Sequence, residues 1–301
     1  EKHYKSIVMN LPSSHSPQVS RSVYLHPQAA NRALFQLHTC YVETKGERLL
    51  QMLSELEGSD LFSTIYRRSS ADNGCTWSPI EPVYQPSPLP NGNSSRQGEM
   101  ALFLSERTGR LYRFFNFHRE VEPHFSGKVW WNTELMFQWS DDKATTFSPP
   151  IPVLQGEESA DADPAFSPVV ISFSRPFHLS NGTIVLPVQK ARPISDDPLG
   201  RLEWWAGCLL GREEQNGIRW RRGGFINLDL ACSTRGAFEP AIANLGNGRL
   251  LMICRASNTG NLALPSHKWL SISDDEGQSW TPLRPWTFEN GNAFFSPSSG
   301  S

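Results

Sequence analysis

Apolar and polar residues alternate along this chain in short runs, and each run ends in a string of small polar residues. Thr64-Ile65-Tyr66, Leu135-Met136-Phe137 and Trp269-Leu270-Ser271-Ile272 show the two-residue period of a half-buried β-strand. Uninterrupted stretches of helical period are hard to find. The strings that follow the runs are alike: Ser70-Ala71-Asp72-Asn73-Gly74-Cys75-Thr76-Trp77, Ser140-Asp141-Asp142-Lys143-Ala144-Thr145-Thr146-Phe147 and Ser273-Asp274-Asp275-Glu276-Gly277-Gln278-Ser279-Trp280. Each continues into Ser-Pro or Thr-Pro. A worn copy, Glu213 to Trp220, keeps only Asn216-Gly217 and Trp220. From first position to first position the copies stand 70, 73 and 60 residues apart. The pattern predicts a strand–turn–strand hairpin about every 65 residues, a period that suits one four-stranded propeller blade.

The repeated string has a physical reading. Ser and Asp side chains can bond the backbone of a tight turn, Gly supplies a positive φ, and the closing aromatic ring packs beneath. Composition agrees with many short strands joined by turns: 23 Pro, 22 Gly and 10 Trp in 301 residues, with 38% hydrophobic and 19% charged. The net charge of −2 supplies no basic field for nucleic acid. No apolar stretch approaches the roughly 18 residues needed to span a bilayer. The chain begins at Glu1 with neither an initiating Met nor a signal-peptide pattern, so it is expected to be a mature form or a fragment.

The three full strings resemble the Asp boxes, or BNR repeats, of the sialidase superfamily. The likeness extends to Thr108-Gly109-Arg110-Leu111-Tyr112 and to Leu179-Ser180-Asn181-Gly182-Thr183-Ile184-Val185-Leu186-Pro187. It is most specific in Glu239-Pro240-Ala241-Ile242, Gly248-Arg249-Leu250-Leu251-Met252 and Arg255. The resemblance implies an all-β, sialidase-like β-propeller of four-stranded antiparallel blades, six-bladed in the family and truncated here after about four. The blades are expected at about 1–85, 95–155, 165–228 and 235–286, with a fifth starting at 290–301. Such boxes also occur in propellers without sialidase activity, so they speak for fold before function.

The family binds its sugar carboxylate with three arginines and uses a Tyr nucleophile paired with a Glu, plus an Asp as acid/base. An anionic substrate repels a carboxylate nucleophile, and arginine forks hold a carboxylate in a geometry that lysine lacks. Carried over by motif, Glu239 is the Glu that activates the Tyr, and Arg255 is the second arginine. Arg21 is the best candidate for the first, although Ser22-Val23 stands where the family has Ile-Pro; Arg32 is the fallback. Asp60 is the acid/base candidate, with Glu43 and Glu47 as rivals. The third arginine and the tyrosine are expected beyond Ser301.

These residues point to an exo-acting glycoside hydrolase that releases sialic acid or a related acidic sugar from glycans. It would need no cofactor or metal, contact no nucleic acid and span no membrane. A non-catalytic carbohydrate-binding propeller and a polysaccharide-degrading enzyme on the same scaffold are the alternatives. Other features read as structural. Cys40, Cys75, Cys208, Cys232 and Cys254 form no CxxC pair. Asp161 and Asp163 are expected to be solvated loop charges. Trp130-Trp131 and Trp204-Trp205 are expected to pack strands more than sugar rings. Asn93-Ser94-Ser95 and Asn181-Gly182-Thr183 fit glycosylation acceptors, the second better explained as a hairpin turn.

Overall fold

Four antiparallel sheets succeed one another along the chain in a computed structural model that describes residues 32–123, 126–264 and 267–286. The first sheet holds β1 (Ala33–Tyr41), β2 (Leu49–Gly58), β3 (Leu61–Ser70) and β4 (Glu81–Tyr84). The second holds β5 (Ser87–Pro88), β6 (Ser94–Leu104), β7 (Leu111–Val121), β8 (Thr133–Ser140) and β9 (Ile151–Pro152). The third comprises β10 (Phe177–His178), β11 (Ile184–Pro193), β12 (Leu202–Glu214) and β13 (Gly217–Ile226). The fourth comprises β14 (Phe238–Gly246), β15 (Arg249–Arg255), β16 (Lys268–Ser273) and β17 (Arg284–Pro285). Strand order within each sheet is sequential, so each is an up-and-down blade, and the four are arranged as a β-propeller. Two short 3-10 turns are the only helical elements among the described residues.

Blades pack face to face through the apolar set of each alternating strand. β8 and β16 alternate buried and half-buried positions along their length, as the sequence period requires. Leu37, Met52, Ile65, Met100, Leu102 and Phe115 close the first and second blades on each other. Phe114, Phe137, Ile184, Leu186, Leu209 and Trp220 do so for the second and third, with the Phe114 and Trp220 rings edge to face at 5.7 Å. Truncating one such ring to alanine in a close-packed core costs about 3–5 kcal/mol.

The three full boxes share one hydrogen-bond pattern. Ser70 Oγ donates to Asp72 Oδ1 (2.8 Å) and accepts from the Gly74 amide (2.8 Å); Asp72 accepts from the Thr76 amide (2.8 Å) and hydroxyl (2.6 Å). Ser140/Asp142/Ala144/Thr146 and Ser273/Asp275/Gly277/Ser279 repeat it. The residue after each closing aromatic ties the turn back to its strand: the amides of Ser78, Ser148 and Thr281 donate to the carbonyls of Ser69, Trp139 and Ile272, all at 2.8 Å. The fifth position of each box has positive φ, 87° at Gly74 and Gly277 and 66° at Ala144.

Blade three departs from this pattern. Glu213 to Trp220 forms no box: β12 and β13 join through a two-residue turn at Gln215-Asn216, with Gly217 at φ 127°. Without the Ser and Asp that wrap the turn, the strands simply continue, and Trp220 lies within β13 opposite Gly211. The Glu213 carboxylate reaches sideways to blade two and accepts from Ser105 Oγ (3.0 Å), Thr108 Oγ1 (2.9 Å) and Tyr112 Oη (3.1 Å).

Up-and-down winding sorts the turns onto two faces. The boxes join the last two strands of their blades, so they share a face with the turns between β1 and β2, β6 and β7, and β14 and β15. The Asn73 amide accordingly donates to Glu47 O (3.0 Å), and the Glu276 amide to Gly248 O (3.0 Å). The starts of β1, β6, β10 and β14, the ends of β2, β7, β11 and β15 and the turns that follow those ends all meet on the opposite face.

Candidate functional site

Glu239 and Arg255 meet on the face away from the boxes. Glu239 is the second residue of β14 and Arg255 the last of β15. Arg255 Nη1 donates to Glu239 Oε1 at 2.7 Å. β14 slips in register between Phe238 and Ala241, and Glu239 sits there at φ 51°. A non-glycine residue in that region costs of order 1–3 kcal/mol, and such strain clusters at functional sites. Its neighbours hold it there. The Glu239 amide donates to Gln189 Oε1 on β11 (2.5 Å), and the next carbonyl, of Pro240, accepts from Ser174 Oγ. The Arg255 side chain is 17% exposed and that of Glu239 40%, so the pair opens to solvent from the carboxylate side.

Two residues that the sequence did not single out join them. The guanidinium of Arg235 lies 5.2 Å from the ring centroid of Phe238, and that of Arg255 lies 4.9 Å from the same ring. Burial and the Arg255 charge lower the Arg235 pKa, while Glu239 and Asp60 raise it. Glu99, on β6, is 9% exposed. Burial pushes its carboxyl up to about 7; the Asn116 amide, donating to Oε2 at 2.7 Å, opposes this, and the charges of Asp60 and Glu239 add to it. Asn116 is pinned in turn across blades by Ile171, through Nδ2 to O (2.9 Å) and N to Oδ1 (3.1 Å). His118 Nε2 stands 3.8 Å from Glu99 Oε2, but burial pushes that ring down to about 4, so the approach is not an ion pair near neutrality.

Glu99 carries a signal visible in the chain: Gly98-Glu99-Met100-Ala101-Leu102 opens an apolar strand with one acid, as Glu239-Pro240-Ala241-Ile242 does. Arg235 has only its place four residues before Glu239.

The other sequence candidates fall as follows. Asp60 occupies the turn between β2 and β3 at φ 58°, exposed, with its charge felt by both Glu99 and Arg235. Its rivals Glu43 and Glu47 belong to the opposite, box-bearing face: Glu43 pairs with Lys143 (2.6 Å), and Glu47 O takes the Asn73 amide. Arg32 is committed to Glu57, which also holds Arg96 (2.9 Å). Arg21 lies outside the described residues.

Asp161 is a correction. Its side chain is 10% exposed and pairs with Lys190 (2.6 Å) and Arg222 (3.2 Å), because the loop folds over β11 and β13 where those cations need an answer. Trp130 and Trp204 are buried edge to face at 5.1 Å, whereas Trp131 is exposed. Among the described residues no group of three His, Cys, Asp or Glu is placed to hold a metal, and no helix is long and apolar enough to cross a membrane.

With this geometry in hand, the chain can be set beside known proteins. Its fold matches the Hadza microbial sialidase Hz136 with a TM-score of 0.56 at 20% identity, over 84% of this chain and 45% of that one. A Dyadobacter fermentans protein of unknown function gives 0.59 at 14% identity, over 85% of this chain and 70% of that one. The intramolecular trans-sialidase from Ruminococcus gnavus gives 0.55 at 12%, over 84% and 71%. At these identities the likeness is one of fold: a sialidase-like β-propeller. The chain spans less than half the length of the Hz136 sialidase. No curated protein matches it in sequence. The BNR repeat-like domain family matches residues 101–298, about two thirds of the chain, from the second blade through both the Glu239 and Arg255 positions, and the chain belongs to that family.

Proposed function

We propose that the centre around Glu239 and Arg255 is the sugar site of an exo-acting, sialidase-type glycoside hydrolase that takes a terminal acidic sugar. The observation that carries this reading is the Glu239–Arg255 pair itself. An arginine fork is stacked on Phe238 beside a carboxylate held in a strained backbone position, at the face where strand ends from different blades converge. In this reading Arg255 takes the sugar carboxylate, Glu239 serves as base toward a tyrosine, and Asp60 acts as acid/base. Arg21, a third arginine and the tyrosine complete the constellation from outside the described residues. A neutral phenol suits the task because an anionic substrate would repel a carboxylate nucleophile.

One observation favours the carbohydrate-binding alternative. Arg21 sits in a broken copy of the family's first-arginine motif, with Ser22-Val23 where the family has Ile-Pro. Assaying the full-length protein on fluorogenic α-sialosides, β-glucuronides and neutral glycosides separates the two. Turnover of an acidic glycoside that drops about a hundredfold or more in Glu239→Gln supports the enzyme. Acidic-sugar binding without turnover supports the binding propeller, and turnover of neutral glycosides alone overturns the acidic-sugar reading.

A further inference from the structure

The four tryptophans that stand in pairs along the sequence do not share one environment. Trp130 and Trp204 pack edge to face in the core, and Trp205 lies edge to face on Phe166 at 5.5 Å. Trp131 is 37% exposed, and of the ten tryptophans in the chain it is the one exposed to this degree. It stands where the second blade meets the connection to the third. Both blades are described, so its exposure does not come from a sheet that lacks a neighbour.

Local structure turns it outward. The 3-10 turn Gly127–Asn132 buries Val129 and Trp130 and leaves the next residue on the solvent side. The turn is fastened at both ends. The Val129 amide donates to Ser126 O (3.1 Å), the Thr133 amide to Trp130 O, and the Thr133 hydroxyl to Val129 O (2.8 Å). Trp131 lines a cleft of about 240 Å³ together with Leu154 and Pro168 from the connection. That connection is fixed in turn, by Val153 N to Leu135 O (2.8 Å) and Ser167 N to Ala191 O (2.7 Å). Polar side chains in the lining include Asn132 and Ser159. Its only ionisable groups are Arg119 and Glu134, which pair with each other, so the lining carries no net charge.

We infer that this cleft is an accessory sugar site for a neutral pyranose, with the Trp131 indole as its stacking platform. The C–H groups on one face of a pyranose carry partial positive charge and rest on the negative face of an aromatic ring. The hydroxyls around them need a few placed donors and acceptors. The cleft supplies both, and its paired charges give an acidic sugar no gain over a neutral one. A single exposed apolar residue needs no explanation. Here an indole is set into a cleft beside an amide, a hydroxyl and an ion pair, on a backbone already fixed, so little freedom is lost on binding. The turn that carries Trp131 follows the end of β7, which puts the cleft on the same face as Glu239 and Arg255. It uses none of their residues and stands whether or not that centre takes an acidic sugar.

The test follows the indole Nε1–H signals of the full-length protein by NMR, with Trp131 identified by the signal that Trp131→Phe removes. Methyl β-D-galactopyranoside, methyl β-D-glucopyranoside and glucuronate are added in turn. The Trp131 signal should move with at least one neutral glycoside and saturate at about 1–10 mM, as befits a site for one sugar. In isothermal titration Trp131→Ala should weaken that glycoside about tenfold or more at unchanged Tm, and Trp131→Phe, which keeps an aromatic face, by less. Glu239→Gln should leave its affinity unchanged. A Trp131 signal indifferent to all three sugars overturns the inference, as does one that moves with glucuronate alone. Glycoside affinity unchanged in Trp131→Ala also overturns it, and loss of that affinity in Glu239→Gln then puts the neutral sugar at the Glu239 centre instead.

Discussion

The two faces of the propeller treat their carboxylates in opposite ways. On the box face Asp142 is exposed and Asp72 half-buried, and each carboxylate is wrapped by its own turn. Bonds from the Thr76 hydroxyl and amide, then from Ser70, hold Asp72 at about 2; the Thr146 amide and hydroxyl, then Ser140, do the same for Asp142. On the other face Glu99 is buried with one amide donor and is pushed up to about 7. The donors that close on the charged form hold the box carboxylates low, whereas burial, before any donor, decides for Glu99. The box face turns its polar groups inward on each other; the opposite face leaves Glu99, Arg235 and the free side of Glu239 addressed to something else.

The largest expected effect comes from Glu99. Its folded pKa lies above its unfolded value, so the native state binds a proton that the unfolded chain gives up first. Its contribution therefore falls as pH rises from about 4.5 to 7 and stays low above that. Glu99→Gln should be more stable than wild type at pH 8 by as much as about 3 kcal/mol, with the gap closing by pH 4.5. Tm measured against pH for both proteins checks this, and a constant gap would refute it. The difference between the two curves isolates Glu99 from His38 and His118. Both are pushed down to about 4 chiefly by burial, and both remove stability as pH falls below 6.5.

A smaller effect is expected on the box face. Asp275→Ala removes the acceptor for Ser273 Oγ and for the Ser279 amide and hydroxyl. Tm should fall by about 2–4 °C, with ligand affinity per folded molecule unchanged. Loss of binding in a variant that still melts normally would mean that the boxes are not confined to structure.

The smallest effect separates boxes that look equivalent. At the fifth position, a Cβ on Gly277 would meet Cys208 Sγ at 2.9 Å and Leu250 Cδ1 at 3.3 Å, whereas one on Gly74 meets nothing closer than 3.5 Å. Gly277→Ala should therefore cost about 1 kcal/mol more than Gly74→Ala. Ala144→Gly should change stability by less than about 1 kcal/mol, because relief of its positive φ is offset by the lost methyl and a looser unfolded chain. Denaturant midpoints of the three variants settle the order.

Much of the blade architecture was legible because the boxes are local: the Ser and Asp bonds span two to four residues and the closing tie nine, so the string carries the turn. Blade three shows where that stops. Glu213 stands in the first box position, but its partners Ser105, Thr108 and Tyr112 are a blade away, and no local pattern announces them. The site was legible only in part for the same reason. Glu239 and Arg255 sit on paired strands in a stretch with a family resemblance. Glu99 and Arg235 acquire their character from burial and from charges on other blades. Asp161 was misread because Lys190 and Arg222, which draw it in, are distant in sequence.

The Glu213 clasp also bears on how such a chain can change by duplication. A blade closed by a box is self-contained, since its Ser and Asp find their partners within their own turn wherever the blade is copied. Blade three is not, because the three hydroxyl donors to its turn carboxylate all come from the Ser105–Tyr112 hairpin of blade two. Copied next to any other blade, that half-buried carboxylate would keep only the His178 ring of its own blade, 3.6 Å away, and lose the three hydrogen bonds. Blades one, two and four are modules; blade three has an address.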